Sequence, residues 1–209
     1  MALLLPLAQG GDHDAQYFVA QMLRRGLGIP RDMGTAAAWY QAAAQGCHVK
    51  AQCVLGTLYR DGNGVRKSYP HARLWFNAAA AQRSARGYAL LGHMYIYGFG
   101  HPQSYAKAFL SCQRAHELGD SYGSLNLGWL YERGYGCARD VAKAIELYEL
   151  AAQSGAYHAL HNLGTLYLYG LGVEKDRCKA TKLLEEAAAL GDLEASDLLR
   201  RLTEATDRN

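Results

Sequence analysis

The chain carries eight His and five Cys, the residue types that most often hold metal ions or do nucleophilic and acid–base work. Spacing decides whether they can act together. Only His158-x2-His161 puts two imidazoles on adjacent turns of one helix, and no third ligand accompanies them in the sequence. Cys47, Cys53, Cys112, Cys137 and Cys178 share no fixed spacing, so the paired-thiolate pattern of a zinc site is missing. The run Gly64-Val65-Arg66-Lys67-Ser68 imitates the end of a phosphate loop, but the preceding Gly62 lies two residues away where that loop needs five. No Ser, His and Asp order suggests an activated nucleophile. The expectation is therefore a chain that is not an enzyme, with no catalytic residue, no metal and no cofactor.

Those residues sit on a frame that repeats. The 209 residues align with themselves at a shift of 36 without one insertion. One glycine column runs Gly26, Gly62, Gly98, Gly134, Gly170, and a second runs Gly28, Gly64, Gly100, Gly136, Gly172. Small residues recur at Ala15, Ala51, Gly87, Gly123, Ala159 and again at Ala20, Gly56, Gly92, Gly128, Gly164. Leucines fill Leu55, Leu91, Leu127, Leu163, and tyrosines fill Tyr59, Tyr95, Tyr131, Tyr167. Ala15, Val19, Met22 and Gly26 fall at i, i+4, i+7 and i+11, one face of a helix A. The Gly-x-Gly ends it, because glycine takes the left-handed conformation of a helix C-cap. Ala36, Trp39, Tyr40 and Ala43 give the same spacing for a helix B. Asp32, Ser68, Ser104, Asp140 and Asp176 precede helix B by two to four residues, where a short polar side chain can cap free amides. One such hairpin cannot bury its apolar face alone, so the units must stack.

Composition agrees with that frame. Half the residues are apolar and a fifth are charged, as in a folded chain, and 23 Gly with 4 Pro suit many short helices joined by tight turns. A net charge of +3 and a pI near 8.5 are too mild for nucleic-acid binding. The longest apolar run, Ala2 to Ala8, is far short of the roughly 20 residues that span a bilayer, and it lacks the basic flank of a signal peptide. No membrane insertion is expected. Unpaired cysteines and the missing leader favour the cytoplasm, with a periplasmic or secreted chain left open if the sequence is trimmed.

The run Ala159-x3-Leu163-Gly164-x-Leu166-Tyr167-x2-Gly170-x-Gly172-Val173-x2-Asp176-x3-Ala180, with Ala36-x2-Trp39-Tyr40-x2-Ala43 for helix B, resembles the Sel1-like repeat, a relative of the tetratricopeptide repeat. The resemblance covers about residues 3–202 and implies an all-α, right-handed superhelix in a single domain. Its divisions are a tail of a preceding helix B at 1–10, repeats at 11–46, 47–82, 83–118, 119–154 and 155–190, and a C-terminal capping helix at 191–209 whose pattern breaks from Thr203. The half-repeat at the start suggests a fragment of a longer repeat protein or a domain that begins in mid-repeat. One branch of the family staples each repeat with a disulfide and is associated with β-lactam hydrolysis, but it needs paired cysteines in every unit. Here Cys112 and Cys137 fall in core columns and read as small buried hydrophobes.

The resemblance further implies a scaffold for a protein or peptide partner, without a small-molecule cofactor. Bacterial relatives resemble adaptors, and some are immunity proteins that occlude a secreted toxin. In such a stack helix A lines the concave groove. One quarter-turn from the core stripe, repeats 3 to 5 present Arg86, His93, Tyr97; Tyr122, Asn126, Trp129, Arg133; and His158, Asn162, Tyr169. Aromatic and hydrogen-bonding types together mark an interface hot spot. Trp129 is the expected anchor, because the Leu and Tyr columns already fill the core.

Overall fold

The computed structural model describes residues 3–206, the side chains of 205 and 206 excepted, and among them finds twelve helices and no strand. They form two compact units, one up to Ser104 and the other from Tyr105. The first holds α1 (Leu4–Gln9), α2 (His13–Arg25), α3 (Met33–Gln45), α4 (Val49–Asp61), α5 (Tyr69–Ala81) and α6 (Ala85–Tyr97). The second holds α7 (Tyr105–Glu117), α8 (Ser121–Arg133), α9 (Val141–Gln153), α10 (Tyr157–Tyr169), α11 (Arg177–Ala189) and α12 (Leu193–Thr206). Helices α2 to α11 are all 13 residues long.

The turn from helix A to helix B is locked the same way in every repeat. Gly134 caps α8 with φ 70°, and Gly136 follows at φ 76°. A Cβ on Gly136 would also sit 2.4 Å from the Tyr105 carbonyl oxygen, so both conformation and space demand glycine there. Asp140 then donates its backbone N–H to the Tyr131 carbonyl at 2.9 Å, as Asp32, Ser68, Ser104 and Asp176 do to Leu23, Tyr59, Tyr95 and Tyr167. These cap residues stand directly before helix B, not two to four residues away. Helix B starts three residues ahead of the alanine column of Ala36, Ala144 and Ala180, and Asp32, Asp140 and Asp176 each accept a backbone N–H three residues on. Ser68 departs from them, its hydroxyl bonding His71 Nδ1 at 2.7 Å.

Close helix contact explains the small columns. A Cβ on Gly128 would come within 2.8 Å of the Tyr148 ring, and one on Gly164 within 2.8 Å of Leu184. Tyr40, Phe76, Cys112, Tyr148 and Leu184 occupy one column and are fully buried. Helix α12 continues through Thr203 to Thr206, because that polar stretch contains no Pro or Gly to stop it; 207–209 lie outside the described residues. One expectation changes. Cys137 is only half-buried at the edge of its turn, whereas Cys112 and Cys53 are buried and Cys47 and Cys178 exposed.

Candidate functional site

In the first unit, α6 carries Arg86, His93 and Tyr97 at i, i+7 and i+11, one face of the helix. The His93 ring lies 4.7 Å from Tyr97 and 5.8 Å from Phe99, and Tyr97 stacks on Phe99 at 5.5 Å. Burial and then the Arg60 guanidinium hold the His93 imidazole down at about 4, so it is neutral at pH 7.

In the second unit, α8 and α10 bring the other seven residues onto two helix-A faces. Trp129 lies 5.3 Å from Tyr135 in edge contact and 6.4 Å from Tyr105, with the Arg133 guanidinium 5.9 Å from its ring. It is half-buried and packs on the cluster of Leu125, Tyr148, Leu163 and Leu166. The expectation that the core does not need it is therefore corrected: the indole packs against Tyr135 and that cluster. Tyr122 packs on the same cluster. Arg133 and Tyr169 are exposed, and His158 is exposed while stacking on Tyr157 at 4.1 Å.

A polar link ties α9 to the α8 face. The Tyr148 hydroxyl, reaching up from α9, donates to the Glu132 carboxylate of α8 at 2.8 Å. Burial, with the Glu132 charge behind it, pushes the Tyr148 phenol far up. Asn126 Nδ2 and Thr165 Oγ1, on the same faces, are buried atoms with no hydrogen-bond partner among the described residues. Each such atom costs stability until a ligand group or water meets it.

His161 does not join His158 as a metal pair. Its Nδ1 faces Asp192 at 3.4 Å, and Asp192 also caps α12. Among the described residues no three His, Cys, Asp or Glu converge to hold a metal ion. No helix among them is long and apolar enough to cross a membrane.

The sequence reading passed over a cavity of about 690 Å³ in the first unit. Arg24 and Arg25 of α2, Arg31 of the following turn, Lys50 of α4 and Arg86 of α6 line it, against the single carboxylate of Asp61. That carboxylate is already engaged by Arg60 Nε and Nη2 at 2.7 and 3.1 Å. Arg24 Nε is buried without a hydrogen-bond partner among the described residues. A signal existed in the sequence. Residues 1–104 carry ten Lys and Arg against four Asp and Glu, and residues 105–209 carry 12 against 15, an asymmetry that the net charge of +3 conceals.

The Sel1 repeat model matches residues 13–46, 49–84, 85–120, 121–155 and 158–192. The Sel1 repeat is a protein-interaction fold and in general a non-catalytic scaffold. A Sel1 repeat protein from Oxalobacter formigenes is 29% identical over 90% of this chain and 75% of its own, with a TM-score of 0.81. The protective antigen c5321 of uropathogenic Escherichia coli, with the same repeat fold, is 31% identical over 95% of this chain and 43% of its own, at 0.75. Immunity protein Pa5087 from Pseudomonas aeruginosa is 25% identical over 88% and 67%, at 0.64. No curated protein matches the sequence.

Proposed function

We propose that this chain, which belongs to the Sel1 repeat family, is a non-catalytic scaffold that binds a protein partner on its helix-A faces, and that it serves as an immunity protein neutralising a secreted bacterial toxin. The observation that carries the binding reading is the face of α8 and α10. Exposed Arg133 lies beside a half-buried indole on α8, Tyr169 is exposed on α10, and Asn126 Nδ2 and Thr165 Oγ1 await hydrogen-bond partners. Tyr, Trp and Arg dominate interface energetics, and an unmet polar atom rewards a partner that satisfies it. Similarity to immunity protein Pa5087 supports the finer role.

The test is co-purification with the product of the neighbouring gene, followed by titration of variants. Trp129→Ala weakens the complex by about 30-fold or more, but it also removes packing and lowers the melting temperature. Arg133→Ala and Tyr169→Ala are the cleaner probes, because both side chains are exposed. Each lowers affinity about tenfold with the melting temperature unchanged. Wild-type affinity in both variants removes the face from consideration, and a chain that ignores every candidate toxin removes the immunity role.

A further inference from the structure

We propose that the basic cavity of the first unit receives an acidic segment of the partner protein, its carboxylates on Arg25, Lys50 and Arg86 and its apolar side chains on the cavity floor. This rests on the reading of the chain as a protein-binding scaffold and names the chemistry of what it binds.

Three observations converge. The first is charge. Five cations from α2, its turn, α4 and α6 line one cavity, and its one carboxylate is occupied by Arg60. The second is placement against local preference. Lys50 and Arg86 stand in the first turns of α4 and α6, at the positive end of the helix dipole, where α2 has Asp14 in the same column. A cation kept at that end gains nothing for its own helix and raises the field seen by an incoming anion. The third is the unmet buried Nε of Arg24 in the cavity wall.

A protein segment fits better than a free phosphate. One of the amides that a phosphate would seek is already used at the start of each of α4 and α6: His48 Nδ1 accepts from Ala51 N–H and Ser84 Oγ from Gly87 N–H. The floor is apolar, built from Val49, Val54, Leu58 and Leu90. Cations around an apolar floor suit alternating carboxylate and aliphatic side chains.

The experiment is fluorescence anisotropy with the full chain and a labelled peptide built of Glu and Leu, beside the same peptide with Gln for every Glu. The Glu peptide binds at least about tenfold more tightly. The double variant Arg25→Gln, Lys50→Gln loses that advantage, while Arg83→Gln, Lys182→Gln, with the same change in net charge outside the cavity, keeps it. Inorganic phosphate displaces the peptide no better than chloride of equal ionic strength. The proposal is overturned by no binding of either peptide, equal binding of both, an equal loss in the control variant, or specific displacement by phosphate. Arg133→Ala and Tyr169→Ala separate the two readings. If they weaken the natural partner while the peptide arm fails, only the acidic-segment proposal falls. If the peptide arm succeeds and they change nothing, only the α8 and α10 face falls.

Discussion

His93 shows how a single side chain in this fold takes its character from neighbours in three dimensions. It shares a helix column with Gln21, Thr57, Trp129 and Thr165, and nothing in that series announces a titrating group. Burial, with Arg60 and Arg86 adding repulsion and Asp61 opposing them, lowers its folded value to about 4 from an unfolded value of 6.5. The neutral imidazole therefore contributes stability that is complete above pH 6.5 and is lost as pH falls through 4. The loss by pH 4 is on the order of 2–3 kcal/mol. His93→Gln keeps a polar side chain without the titration. Thermal melts of the two proteins at steps between pH 7 and pH 4 should diverge, the wild type falling faster. Carboxylates titrate in the same window but are common to both proteins, so parallel curves would show that His93 is solvated in the folded chain.

The helical hairpin is the level at which sequence and structure agree most closely, and the reason is steric. Gly-x-Gly turns, alanine columns and leucine columns are each demanded by a left-handed residue or a close contact, so they recur visibly at 36 residues. What escaped was a second left-handed column after helix B. Gly11, Gly119, Gly155 and Gly191 occupy it, but Cys47 (φ 63°) and Arg83 (φ 60°) hold the same conformation with side chains, so the column looks broken. Caps show a similar gap. Asp12, His48, Ser84, Asp120 and Asp192 each accept a backbone N–H at the start of a helix A, while Ala156 before α10 cannot. Ala156→Asp should raise stability by about 1 kcal/mol, readable as a higher denaturation midpoint at unchanged slope. Gly128→Leu should do the reverse. Its side chain would be driven into the ring of Tyr148, whose hydroxyl is tied to Glu132, at a cost of about 1–3 kcal/mol or more. An unchanged melting temperature would mean that α8 and α9 are farther apart than the structure has them.

Across the whole molecule, charge is distributed in a way that the totals conceal. Aromatic hot-spot types mark the face of α8 and α10 in the sequence, because Trp and Tyr are visible one at a time in a column. A cationic cavity is assembled from α2, a turn, α4 and α6, so no single column displays it, and the acidic second half cancels it in the net charge. Fields do not cancel in that way at close range. At physiological salt an approaching segment feels charges within about 8 Å, so it meets the local basic lining of the first unit and not the molecular average. The lining should therefore act on encounter before it acts on the bound state. In stopped-flow mixing with an acidic partner, the association rate should fall by about tenfold or more as ionic strength rises from 0.02 to 0.3 M, with dissociation changing much less. Arg25→Gln with Lys50→Gln should flatten that dependence, while Arg133→Ala, at the face of α8, should leave its slope in place and speed dissociation. If the slope survives loss of both cavity cations, steering comes from elsewhere on the surface and the cavity lining serves only to hold the segment once it has arrived.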